Sequence, residues 1–169
     1  DRAAGSEAER GVVDREVGFC RTIGGGGGMQ PAIDKKTRTV FFVAGNPSPD
    51  LYGAIRPGDN LYTDSLVAID LDKGTYKWHS QYIAHDVWDL DAVSPVILTE
   101  ARDKSGKMRK VAIHGGKTGH VYIHHRATGE LLRFSEAMIP QDNLRVPPPQ
   151  EGQPLPPAPG RHACARPPP

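Results

Sequence analysis

Four polar side chains in this 169-residue sequence are spaced so that they can do chemistry together. Asn46 stands in a Gly-Asn-Pro turn signal, GNPSPD. Asp89 and Asp91 close a polar stretch, HDVWDLD. Lys117 sits in a second turn signal, GGKTG. Carboxylates and a neutral amide oxygen are the donors that hard cations take. Two residues apart on an extended segment, Asp89 and Asp91 point to one side. The residue types alone leave plainer roles open. Asn before Pro often caps a turn, loop carboxylates are usually solvated, and a lysine in a glycine-rich turn usually faces water. His85 and Asp86 read as residues that structure the loop.

Those turns need a scaffold, and the sequence supplies strands. Runs rich in β-branched and aromatic residues lie at Thr39–Ala44 (TVFFVA), Leu66–Asp70, Tyr76–Gln81, Val93–Thr99, Lys110–His114, His120–His125 and Leu131–Phe134. Asp72-Lys73-Gly74 makes a hairpin turn between two of them. Asp103–Lys107 is a polar turn. No segment carries ten or more residues at helical period. With 19 Gly and 16 Pro, about a fifth of the chain, composition also favours an all-β fold. A hairpin motif recurs: AIDLDKGTYKW at 68–78 returns in weaker form at 122–132, with Gly74 matching Gly129 at a spacing of 55 residues. A strand–turn–strand unit at about this period is the mark of propeller blades.

Three regions divide the chain: an irregular, Gly-rich lead-in over 1–28, a propeller-like body over 29–146, and a Pro-rich, disordered tail over 147–169. The tail holds ten of the sixteen prolines and cannot form sheet ladders. The five glycines at 24–28 have no side chains to pack, which suits a loop or a close backbone approach. No Lys-Ser/Thr follows them, so a phosphate loop is not indicated. Cys20 and Cys164 are read as unpaired thiols. A net charge of +1 gives no sign of nucleic-acid binding, and no apolar run reaches the length of a membrane span. Membrane association is otherwise left open.

From about Met29 to Glu136 the chain resembles the pyrroloquinoline quinone (PQQ) dependent alcohol dehydrogenases. The resemblance rests on four motifs in order: GNPSP at 45–49, RPGDNLYT at 56–63, HDVWDLD at 85–91 and GKTGHVY at 116–122. The hairpin at 68–78 is also similar to the family's tryptophan-docking repeat. The family fold is an eight-bladed propeller with PQQ and a metal on its axis. The resemblance therefore implies a partial β-propeller of two to three four-stranded antiparallel blades, a fragment of a longer protein. It implies an enzyme that oxidises a primary alcohol or sugar by hydride transfer to PQQ, passing electrons to cytochrome c or a quinone, in the periplasm.

The resemblance also assigns roles. Asn46 matches a metal ligand, and Asp89 matches the general base, placed at both metal and PQQ. Lys117 matches the cation on the quinone oxygens. Asp91 stands where lanthanide-dependent members carry an extra carboxylate, although some calcium or magnesium members share it; the ion is calcium or a lanthanide. Glu7, in GSEAERG, is similar to a further metal-binding Glu. One departure stands out. Where the family places a Trp beneath the PQQ ring, this chain has Gly28 or Met29. A non-catalytic propeller scaffold and an inactive truncated family member are the alternative readings.

Overall fold

The structure, a computed structural model, describes Gly26 and residues 29–138. Eight strands form two four-stranded antiparallel sheets, each in sequential order. The first holds β1 (Ala32–Asp34), β2 (Thr39–Ala44), β3 (Ser65–Asp70) and β4 (Tyr76–Gln81). The second holds β5 (Ile97–Arg102), β6 (Met108–Gly115), β7 (Val121–His125) and β8 (Leu131–Phe134). The described residues are thus all-β apart from one short 3-10 turn at Gly53–Ile55, and they make two propeller blades. Among them no helix is long and apolar enough to cross a membrane.

The repeat read at 55 residues is a repeat of hydrogen bonds. In the β3–β4 hairpin the Gly74 N–H donates to the Asp70 carbonyl at 2.9 Å, and in the β7–β8 hairpin Gly129 donates to His125 at 2.8 Å. Both glycines have positive φ, at 65° and 75°. Only glycine adopts that region without steric cost. Each hairpin also carries a bulge at the matching place, between Ala68 and Ile69 and between Ile123 and His124.

One apolar core joins the sheets. Phe41, Val43, Leu66, Ala68, Trp78 and Tyr82 from the first half meet Ala112, Tyr122 and Leu131 from the second. Trp78 reaches across, donating from Nε1 to the Arg126 carbonyl at 3.2 Å. Arg126 in turn pairs with Asp34 of β1 at 3.1 Å. Tyr82 stacks on Tyr122 with ring centroids 4.2 Å apart. His79, His114 and His124 are buried, and burial pushes each down to about 4, so they are neutral core residues at physiological pH.

One strand expectation needs correction, and one strand was not anticipated. The run Val93–Thr99 pairs only from Ile97, and the strand continues to Arg102. Pro95 has no N–H to give a ladder, and Val96 instead packs into the core. β1 gave no sequence signal, because its three residues follow Pro31 and are too few to show a period.

Candidate functional site

The loops that follow β2, β4 and β6 leave the sheets at the same end of their strands. They carry Asn46, the Asp89–Asp91 pair and Lys117, and the fold brings all four together. Lys117 Nζ lies 3.3 Å from Asp89 Oδ2 and 2.8 Å from Asp91 Oδ2, and donates to the Asp89 carbonyl at 3.0 Å. The other oxygen of Asp91 accepts the Asn46 backbone N–H at 2.8 Å. The Asn46 amide nitrogen turns back to the Pro47 carbonyl at 3.3 Å.

Electrostatics follow from these contacts. Burial alone would raise the Asp91 carboxyl, but Lys117 and the Asn46 N–H outweigh it and hold the group below its ordinary value. The hydrogen bond to Asp91 raises Lys117, so its ammonium stays charged. Gly45 makes the cluster possible. A Cβ there would fall 2.6 Å from Asp91 Oδ1 and 3.2 Å from the Gly26 carbonyl oxygen. Gly26 accepts the Gly45 N–H at 2.8 Å, so the glycine run does approach another backbone closely here.

Asp89 and Asp91 meet at Lys117 for a reason the sequence did not give. The segment is not a plain extended strand, since Asp89 has φ 60°. The turn is held by Asp86, whose two oxygens accept the N–H groups of Trp88 at 2.8 Å and Leu90 at 2.7 Å. His85 joins in through Nδ1 and the Gly58 carbonyl, 2.8 Å apart. Both residues structure the loop as expected.

Arg56 and Asp64 escaped sequence reasoning. Arg56 is fully buried. It donates to the carbonyls of Pro49 at 2.9 Å and Asp50 at 2.6 Å, to Asn60 Oδ1 at 2.6 Å, and to the Asp86 carbonyl. One side chain thereby ties the loop after β2 to the loop after β4. The only signal was an arginine heading a turn motif, RPGDN, which reads as punctuation. Asp64 is also fully buried, and neither of its oxygens has a hydrogen bond of ordinary geometry. Burial, with Asp86 and Asp91 nearby, pushes its carboxyl up to about 8.

Glu7, Gly28, Cys20 and Cys164 lie outside the described residues, as does the Pro-rich tail. Met29, at the place of the expected aromatic floor, is exposed.

Comparison with known proteins decides the lineage. A family model described as "PQQ: Glucose/ethanol/alcohol dehydrogenase, beta-propeller domain" matches residues 29–166. The chain belongs to this family. It is 35% identical over 135 residues to the quinoprotein alcohol dehydrogenase PedH of Pseudomonas putida, a match covering 76% of this chain and 22% of that protein. Its fold superposes on the quinohemoprotein alcohol dehydrogenase of Comamonas testosteroni with a TM-score of 0.69 and 31% identity, over 79% of this chain and 20% of that one. A europium-containing methanol dehydrogenase gives a TM-score of 0.65 and 25% identity, over 70% and 20% of the two chains. This PQQ-family chain thus spans about a fifth of the length of the relatives it matches.

The donor set fits the family's metal in kind but is incomplete. Two carboxylates and an amide oxygen are hard donors suited to calcium or a trivalent ion. Among the described residues, no group of three or more His, Cys, Asp or Glu side chains is gathered closely enough to hold a metal ion. Lys117 carries the positive charge that an anionic quinone oxygen would face.

Proposed function

We propose that this chain forms part of a PQQ- and metal-dependent dehydrogenase that oxidises a primary alcohol or sugar. Asn46, Asp89 and Asp91 would hold the cation through oxygen, with Glu7 as a further ligand. The ion is calcium or a lanthanide, and the second carboxylate, Asp91, suits a trivalent ion. PQQ, when bound, would supply the hydride acceptor for this oxidation. Asp89 takes the hydroxyl proton, which needs a carboxylate within hydrogen-bond reach of that oxygen. Lys117 holds both carboxylates, and its charge would stabilise negative charge on the quinone. The two electrons pass on to cytochrome c or a quinone, in the periplasm.

The observation that carries this reading is the double contact of Lys117 with Asp89 and Asp91. A scaffold propeller has no need to gather these groups at one end of its strands. The exposed Met29 favours a second reading, a family member with no ring-stacking floor and hence weak PQQ binding. One experiment tests both. The protein, in its longest natural form, is loaded with PQQ and calcium or lanthanum, and dye reduction is followed with ethanol and with glucose. Turnover that vanishes in Asp89→Ala, while PQQ absorbance in the protein persists, supports the first reading. Unchanged turnover in Asp89→Ala sinks the assignment of the base. Failure to take up PQQ at all supports the second.

A further inference from the structure

The contact of the first sheet with the second is built on one row of residues that pair straight across four strands. Ala32 pairs with Phe41, Phe41 with Ala68, and Ala68 with Trp78. The second sheet covers this row, so that Phe41, Ala68 and Trp78 are buried. The second sheet then repeats the row. Ile97 pairs with Ile113, Ile113 with Ile123, and Ile123 with Arg133. The bulges fall at the same place in both hairpins. Trp78 follows Gly74 by the same four residues as Arg133 follows Gly129. Arg133 therefore stands in the second blade where Trp78 stands in the first.

The second row faces away from the first sheet. Leu98, Ala112 and Tyr122 alternate with it along the strands and turn into the core between the sheets. Ile97 is 59% exposed, Ile113 and Ile123 are only half-buried, and Arg133 is exposed. Among the described residues the Arg133 side chain has no hydrogen bond or ion pair. Three isoleucines in line, ending in a cation, make an apolar sheet face with a polar end.

The chain also shows what receives such a row. Trp78 lies against the Gly129 turn and donates to the Arg126 carbonyl at 3.2 Å. The Gly74 turn has the same build: Leu71 N–H donates to the Arg38 carbonyl at 2.8 Å, as Arg126 N–H donates to Lys110 at 2.9 Å. The two turns differ in charge. The Gly74 turn reads Leu71-Asp72-Lys73-Gly74 and carries a carboxylate; the Gly129 turn reads Arg126-Ala127-Thr128-Gly129 and carries none. An indole suits the turn without a carboxylate. A guanidinium is planar like an indole, and its forked N–H donors suit a carbonyl beside a carboxylate.

We propose that the row Ile97, Ile113, Ile123 and Arg133 is an inter-blade interface, covered by a further propeller blade of the same protein that presents a glycine turn of the acidic form. Arg133 takes the place of the indole. Its guanidinium lies flat on the bare turn, donates to the carbonyl three residues before the glycine, and pairs with the carboxylate. The isoleucines bury their side chains against the apolar face of that blade. The chain spans about a fifth of the length of its relatives, so a longer protein has room for such a blade. The proposal rests on the reading of this chain as part of a longer protein and not on the redox chemistry.

The test uses the protein in its longest natural form and needs neither PQQ nor substrate. Single cysteines replace Ile97, in the row, and Lys107, in the exposed polar turn after β5. Maleimide labelling is followed under native conditions, with each label assigned by peptide mass spectrometry. The expected result is that Ile97→Cys reacts at least about tenfold more slowly than Lys107→Cys, the protection of a covered side chain. Arg133→Glu is expected to bring the two rates together, and Arg133→Gln to do so in part. Arg133→Trp, which restores the residue of the first blade, keeps Ile97→Cys slow. Equal rates in the parent overturn the proposal, and slow labelling indifferent to Arg133→Glu overturns the role of Arg133. A second copy of this chain would also offer an acidic turn, at Gly74. Protection that fades on dilution in step with an oligomer assigns the cover to that copy and overturns the proposal.

Discussion

Trp78 lies flat against the backbone of Gly129, so closely that a Cβ on Gly129 would sit 2.6 Å from the indole Cδ2. The tryptophan of one blade therefore docks on a bare turn of the next. Gly129→Ala incurs two costs, one for a non-glycine residue at φ 75° and one for the clash. Together they amount to about 2–4 kcal/mol. Gly74→Ala separates the two, because Gly74 has φ 65° with nothing within 4 Å of its Cβ position. It costs only the backbone term, about 1–2 kcal/mol. Urea midpoints of the two variants measure the difference. Equal losses would mean that the blade interface yields to a methyl group.

Acid weakens the same interface through Asp34. Burial would raise that carboxyl, but the Arg126 hydrogen bond and the N–H groups of Thr37 and Lys36 win and bring it down to about 2. The folded value lies below the ordinary 3.8, so the unfolded chain binds the proton first. Stability is present above pH 4 and is lost as pH falls towards 2. Asp34→Asn removes that slope. Thermal midpoints of both proteins between pH 5 and pH 2 should converge at the acid end, and parallel curves would contradict the assignment.

Asp64 acts with the opposite sign. Its folded value of about 8 lies above its ordinary 3.8, so the folded state keeps a proton that the unfolded chain has released. Stability falls as pH rises from about 4 to about 8. Asp64→Asn preserves the shape, carries no charge and flattens that decline. The variant is expected to be the more stable of the two at pH 8 and to show no advantage at pH 4.

Gly45→Ala should behave like a damaged ligand set although it touches no ligand type. The added methyl displaces the Asp91 carboxylate, which occupies its space. Terbium luminescence titrations of the parent, Gly45→Ala and Asp91→Ala are expected to give dissociation constants raised about tenfold or more in both variants, by loss of one charged oxygen ligand. Parental affinity in Gly45→Ala would show that Asp91 is not needed for the ion.

The strands with dense β-branched and aromatic runs, such as Thr39–Ala44 and Tyr76–Gln81, were legible to the residue. So was the pairing of hairpins around Gly74 and Gly129, because positive φ has a narrow vocabulary. The gathering of Asn46, Asp89, Asp91 and Lys117 was readable only through motif order, since each residue alone has an ordinary loop role. Arg56 and Asp64 were illegible for a physical reason. Burial of a charged group depends on which distant carbonyls or carboxylates the fold delivers, and no local pattern encodes that. The onset of β5 was misplaced because an apolar run does not reveal whether Val96 joins a ladder or fills the core.

The buried guanidinium of Arg56 gives the candidate site an unusual independence. The loops bearing Asn46 and Asp89 are fastened together by a cation written into the chain, through the carbonyls of Pro49, Asp50 and Asp86. An ion held at Asp89 and Asp91, as proposed, would meet a scaffold that is already set. Loading and stripping of that ion would then be events of exchange and not of folding, and a chelator would leave the walls of the site standing.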